Sequence, residues 1–148
     1  MEMEVADEHR RRTPSHGLFV YGTLMSWAKG ALGLNERKRL SREARSLGPA
    51  TLRGRLYDLG QYPGLIISNV DEDVVHGEVF ELFRPAVTLQ WLDHYEGVRC
   101  ERGELDDYRR ETVEVTLADS AVVKVSVYVY RRSLRRARYL PSGVWQAR

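Results

Sequence analysis

The chain is poor in cysteine, with Cys100 alone among 148 residues. A lone thiol excludes an intrachain disulfide and argues against a structural zinc site. No activating histidine can be placed beside it from the sequence, so an ordinary surface or half-buried thiol next to Glu101-Arg102-Gly103-Glu104 is expected in preference to a nucleophile. Long hydrophobic runs are absent too: nothing approaches the roughly 20 apolar residues that span a bilayer. The start, Met1-Glu2-Met3-Glu4 followed by Arg10-Arg11-Arg12, has no apolar stretch before a cleavage site and is not a secretory signal. A cytoplasmic protein without membrane partners is the expectation. His9, His16, His76 and His94 do not fall at zinc-ligand spacings. There is no Walker sequence, no nucleophile elbow and no complete dinucleotide fingerprint, Gly30-Ala31-Leu32-Gly33 being only a fragment. Charge of one sign is not in excess either. Lys and Arg number 23 against 21 Asp and Glu, a net charge of +2. Near-balance speaks against nucleic acid as a partner, and the cluster Arg131, Arg132, Arg135, Arg136, Arg138 reads as a solvated helix or tail that packs Leu134 and Leu140 onto the domain.

With 43% hydrophobic and 30% charged residues, the chain has the balance of one globular domain with a real core. Residues 1–15 are highly charged, lack apolar periodicity and end in Thr13-Pro14-Ser15, which predicts a disordered leader before a single domain over 16–148. Leu18-Phe19-Val20-Tyr21 reads as a buried strand entering a turn at Gly22. A helix is predicted from an Asn35 cap through Leu40, Ala44 and Leu47, ending at Gly48-Pro49. The period then drops to two: Leu52, Gly54 and Leu56 alternate with Arg53, Arg55 and Tyr57. Leu65-Ile66-Ile67 and Val74–Leu82 read as further strands, the second with an internal Gly77 that predicts a bulge or a close backbone approach. Pro85 opens a second helix with Thr88, Trp91, Leu92 and Tyr95 on one face, stopped by Gly97. Residues 99–107 read as an acidic loop. Val113, Val115 and Leu117, then Val123, Val125, Val127 and Val129, predict a hairpin turning at Ala118-Asp119-Ser120. About six short strands with two helices make an α+β domain, a small mixed β-barrel with flanking helices.

Two segments carry chemistry. Phe19-Val20-Tyr21-Gly22-Thr23-Leu24 runs a strand into a glycine and a small hydroxyl residue, a pattern that can expose consecutive backbone N–H groups to a carboxylate or oxyanion. Gly22, lacking a Cβ, would let such a ligand come close. An ordinary strand–turn junction has the same local pattern. Leu92-Asp93-His94-Tyr95-Glu96-Gly97 puts Glu96 at a helix C-terminus, where the helix dipole and partial desolvation raise a carboxyl pKa and suit a general base. A surface glutamate paired with one of the many arginines also fits. His94, beside this candidate, is a secondary one.

Taken in order, Phe-Val-Tyr-Gly-Thr-Leu at 19–24, Gly-Arg-Leu-Tyr-Asp-Leu-Gly-Gln-Tyr-Pro-Gly-Leu at 54–65, His-Gly-Glu-Val-Phe at 76–80, Leu-Asp-His-Tyr-Glu-Gly at 92–97, Tyr-Arg-Arg at 108–110 and Val-Tyr-Val-Tyr at 127–130 resemble the γ-glutamylcyclotransferase-like family, in its γ-glutamylamine cyclotransferase and AIG2-like branch. The resemblance implies a small-molecule γ-glutamyl substrate whose α-amino group attacks its own γ-amide carbonyl, releasing 5-oxoproline and an amine or amino acid without metal or cofactor. It places the base on Glu96 and the substrate-binding loop on Tyr21, Gly22, Thr23 and Leu24. A pocket tyrosine falls on Tyr128 or Tyr130, according to register, and Arg55, Tyr57 and Tyr62 are further lining candidates. Thr23 stands where many relatives carry Ser. The alternative from the same resemblance is a non-catalytic ligand-binding or interaction module on the same fold.

Overall fold

The computed structural model describes residues 16–98 and 106–146. The leader over 1–15, Cys100 and most of the acidic loop lie outside them. The strands are β1 (Gly17–Val20), β2 (Ala44–Asp58), β3 (Pro63–Ile67), β4 (Val74–Leu82), β5 (Tyr108–Leu117), β6 (Val122–Tyr130) and β7 (Arg138–Leu140), and the helices are α1 (Leu34–Glu43) and α2 (Pro85–Tyr95). Strands β2, β4, β1, β6 and β5 pair in that order, and β5 returns to β2 at Ala50↔Leu117 and Thr51↔Thr116, closing a five-stranded barrel. All its pairings are antiparallel except β1 with β6, matched at Leu18↔Ser126. The far half of the long β2 leaves the barrel and pairs with β3 and β7 instead.

Period-two alternation explains why closure is stable. One face of each barrel strand fills the interior with Phe19, Leu52, Val79, Val115, Val125 and Val127, all nearly free of solvent contact. Each such side chain contributes about 1.5–3 kcal/mol by burial. The opposite face supplies Leu18, Val20, Phe80 and Leu82, which pack with Leu40 of α1 and Leu92 of α2 in a second cluster outside the barrel. The helices therefore sit on one side of the wall, held by the even positions of β1 and β4.

One local expectation is corrected and two that left alternatives are decided. The first helix ends at Glu43, four residues before Leu47, and follows Gly33 rather than an Asn35 cap. Ala44 is already extended, with φ −149° and ψ 161°, and pairs with Leu82. Apolar spacing at 40, 44 and 47 fits a helix, but strand pairing with β4 wins at Ala44. The Arg131–Arg138 segment is not a helix among the described residues; it leads into β7, where Leu140 packs on the barrel core. Gly77 marks a close approach and no bulge, since a Cβ there would collide with the Val20 carbonyl and the Phe19 ring. The bulge lies in β2, between Ser46 and Gly48. No helix among the described residues is long and apolar enough to cross a membrane.

Candidate active site

Helix α2 ends in a way that fixes Glu96. Gly97 takes φ 78°, its N–H bonds to the His94 carbonyl at 3.2 Å, and the Val98 N–H reaches the Asp93 carbonyl at 2.7 Å. These are the paired bonds of a Schellman cap, with Gly97 in the left-handed position. Glu96 is the capping residue, its own N–H bonded to Leu92 at 2.8 Å. Glycine after glutamate thus stops the helix and fixes the backbone from which the Glu96 side chain projects.

The turn after β1 is fixed from three sides. The Met25 N–H bonds to the Gly22 carbonyl at 3.2 Å. Arg37 of α1 donates to the Thr23 carbonyl at 2.8 Å. Glu78 of β4, 1% exposed, accepts the Ser26 N–H at 2.6 Å, the Ser26 hydroxyl at 2.8 Å and the Ser46 hydroxyl at 2.6 Å. A Cβ at Gly22 would stand 2.8 Å from Pro63 Cγ, so packing against Pro63 requires the glycine independently of any ligand.

Glu96 and Tyr21–Leu24 line one cavity of about 500 Å³, together with Tyr62, Tyr95, Tyr108, Tyr128 and Tyr130. Burial pushes the Glu96 pKa up to about 7, although the residue keeps some accessible surface. Its charge is felt by the hydroxyls of Tyr21, Tyr95, Tyr108 and Tyr128, each raised above the ordinary tyrosine range first by burial and then in part by Glu96. The cavity therefore offers a carboxyl that exchanges its proton near neutrality, among phenols that stay protonated.

The register of β5 and β6 places the tyrosines. Tyr108 lies opposite Tyr130 and Arg110 opposite Tyr128, so all four share one face of the hairpin. Both Tyr128 and Tyr130, the two register alternatives, reach the cavity. The Tyr128 hydroxyl donates to Asp93 Oδ1 at 2.6 Å, and Arg110 holds that carboxylate through two bonds at 2.9 and 3.1 Å. Asp93 in the last turn of α2 and Glu96, its C-cap with φ −83° and ψ −2°, are three apart, the spacing that puts two side chains on one helix face. Tyr21 donates to the Tyr128 carbonyl at 2.6 Å, and Tyr108 donates to the Pro63 carbonyl at 2.8 Å.

The structure thus brings Tyr21, Gly22, Thr23, Leu24, Tyr62, Glu96 and Tyr128 together. It sets Arg55 and Tyr57 elsewhere, on the extension of β2 outside the cavity. Arg55 pairs with Asp73 at 2.9 Å and lies over Tyr139, and Tyr57 packs its ring 5.5 Å from the same tyrosine. Leu52 and Leu56 point into the core, which turns 55 and 57 outward. His94 lines a shallow groove beside α2, away from Glu96's cavity. Sequence reasoning assigned no site role to Glu78, Asp93, Tyr95 or Tyr108, although all four stand inside the motifs quoted above. Among the described residues no group of three or more His, Cys, Asp or Glu side chains could hold a metal ion.

The fold and site thus define a closed barrel with one cavity lined by the turn after β1 and by a buried carboxyl at a helix end. The chain belongs to the gamma-glutamyl cyclotransferase, AIG2-like family, whose sequence profile matches residues 18–147. Over 130 residues it is 32% identical to a Vibrio cholerae serotype O1 protein named "Putative gamma-glutamylcyclotransferase", a match covering 88% of this chain and 95% of that one. The crystal structure of an AIG2-like protein from Mus musculus superposes with a TM-score of 0.64 at 20% identity, over 88% of each chain. YkqA from Bacillus subtilis gives 0.62 at 24% identity, over 88% of this chain but 39% of the larger YkqA chain. These two likenesses are likenesses of fold.

Proposed function

We propose that the protein is a γ-glutamyl cyclotransferase, releasing 5-oxoproline from a γ-glutamyl amine or γ-glutamyl peptide, with Glu96 as general base and acid. The observation that carries this reading is that Glu96 and the Tyr21–Leu24 turn, remote in sequence, line the same cavity. In the proposed reaction the Glu96 carboxylate takes a proton from the substrate α-ammonium. The freed amine attacks the γ-carbonyl carbon, and the tetrahedral oxyanion is met by backbone N–H dipoles of the turn. The C–N bond to the leaving group then breaks as its nitrogen takes a proton from Glu96. The second proton shed by the ring nitrogen passes to the departing amine or to water. Nucleophile and electrophile belong to one molecule, so holding it folded supplies much of the rate. A carboxyl titrating near 7 can accept and return a proton within one turnover.

The test is a panel of γ-glutamyl amines, γ-glutamyl dipeptides and glutathione incubated with the pure protein, with 5-oxoproline quantified. Release from at least one class, abolished in Glu96→Gln, is the expected result. A panel inert at high protein concentration would replace the enzyme by a ligand-binding module on the same fold.

A further inference from the structure

Three cavity tyrosines have already given away their only hydroxyl proton. Tyr21 donates to a carbonyl, Tyr108 to a carbonyl and Tyr128 to a carboxylate, acceptors that carry no proton to give back. A phenol has one O–H, so once it is spent the oxygen can only accept. Tyr21 has little left to offer, because the Leu65 N–H also hydrogen-bonds its oxygen. Tyr108 and Tyr128 remain, diagonal neighbours on one face of the β5–β6 hairpin, with Glu96 across from them in the same cavity. The charged side chains among the described lining residues are Glu36, Glu96 and Asp107, all acidic. The part of the cavity formed by Tyr108, Tyr128 and Glu96 therefore presents acceptors and negative charge, while donors are offered by the backbone of the Tyr21–Leu24 turn and by the hydroxyls of Thr23, Tyr62, Tyr95 and Tyr130.

Resting on the reading of this cavity as a γ-glutamyl site, we propose that Tyr108 Oη, Tyr128 Oη and the Glu96 carboxylate form a three-acceptor cage for the α-nitrogen of the glutamyl unit, taking the three N–H bonds of the ammonium in the substrate and the lactam N–H in the product. An ammonium has three donors and no acceptor, which matches three acceptors that cannot donate. The segregation also orients the ligand. An α-carboxylate or oxyanion goes to the turn amides, and the nitrogen goes to the tyrosines and the base that must deprotonate it. Arg110 and Asp93 are the positioning residues of the cage. They keep the Tyr128 proton engaged and its oxygen turned to accept. The raised tyrosine pKa values agree, since such phenols do not ionise and compete with Glu96 for the proton.

The test uses an unreactive ligand pair that differs by one group. These are 5-oxoproline and its lactone analogue, in which ring oxygen replaces N–H, each titrated into the wild-type protein at pH 8 by calorimetry. Leaving buried acceptors facing a lone pair predicts about 10- to 100-fold tighter binding of the lactam. The lactam has one N–H, so at least one of Tyr108→Phe and Tyr128→Phe should shrink that ratio several-fold, by weakening the lactam and relieving the lactone of a facing lone pair, a pattern that general loss of structure would not give. Equal binding of the two ligands by the wild type, or an unchanged ratio in both Phe variants, would overturn the cage and leave the proposed activity standing. Failure of both ligands to bind would overturn the γ-glutamyl reading itself, and the cage with it.

Discussion

Replacing Glu96 by glutamine should make the protein more stable and less active, and the gain in stability should depend on pH in a calculable way. Burial lifts the Glu96 pKa from the ordinary 4.5 to about 7. Between those values the native state holds a proton that the unfolded chain has lost, so linkage makes native stability fall as pH rises through that window. Below 4.5 both states are protonated and the carboxyl carries no penalty. Above 7 both are ionised and the penalty is complete. A rise of about 2.5 at 1.36 kcal/mol per unit amounts to about 3 kcal/mol, trimmed to about 2–3 by the water that reaches the accessible part of the residue. Gln is neutral throughout and carries none of this. Urea unfolding should therefore give nearly equal stabilities for the two proteins at pH 4, and a variant about 2–3 kcal/mol more stable at pH 8. On the proposed chemistry, 5-oxoproline release should fall by about 10²- to 10⁴-fold in the same variant. Two results would refute the reasoning: a variant no more stable than wild type at pH 8, or one equally more stable at both pH values, which would point to packing and not to charge.

Other expectations are briefer. The kcat/KM of the wild type should rise with pH along a limb of apparent pKa near 7, because the base must be ionised to act, and a limb near 4.5 in a pH–rate profile would place Glu96 in water. Glu43, at the end of α1, is held at about 2: burial acts to raise it, but hydrogen bonds from Thr88, Trp91 and Arg39 outweigh that. Its stabilising contribution is complete above pH 4.5 and lost as pH falls toward 2, so Glu43→Gln should cost about 1 kcal/mol at pH 7, with melting curves of the two proteins converging as pH drops below 4. Glu78→Gln removes charge from the carboxylate that pins Ser26, which should lower kcat/KM by about tenfold through a looser turn, with the apparent pKa of the pH–rate limb unmoved; steady-state kinetics across pH checks both.

The barrel was legible because its signal is local. Val123, Val125, Val127 and Val129 alternate in sequence and pack inward together in the structure. The boundary at Glu43 was not, since an apolar spacing of four and three residues serves a helix until Ala44 finds a partner in Leu82. The helix end at Glu96 was legible from Tyr-Glu-Gly, because acid and stopping glycine are adjacent in the chain, while its place in the cavity was an expectation only of the ordered resemblance. The parts of Tyr95 and Tyr108 in the tyrosine wall could not be read, for they need the β5–β6 register and the seating of α2 on β1 and β4 at once. Arg55 and Tyr57 show the opposite failure. Their alternation with Leu52, Gly54 and Leu56 already pointed them outward, and proximity to a motif overrode a period that was there to be read.

The layout also separates chemistry from specificity. On the proposed reading, the glutamyl unit is handled by the deep wall: the turn amides, Glu96 and the tyrosines whose protons are engaged within the barrel. The leaving group points the other way, toward lining residues that remain open to solvent, Leu32 at 42% and Tyr62 at 46% exposure, with Glu36 in the first turn of α1 beside them. These three come from a loop before α1, the first turn of α1 itself and the connection between β2 and β3, and none is a barrel-core position. Substitutions there can change which amine is released at little cost to the barrel, because they alter neither the cap that fixes the Glu96 backbone nor the register that sets Tyr108 and Tyr128. Leu32→Asp with Tyr62→Ala should therefore shift relative kcat/KM across a set of γ-glutamyl amines of differing charge and size, while the affinity for 5-oxoproline, which has no leaving group, stays at the wild-type value. Parallel losses for every substrate and for 5-oxoproline would show that these residues hold the glutamyl unit, and that the division drawn between wall and mouth is wrong.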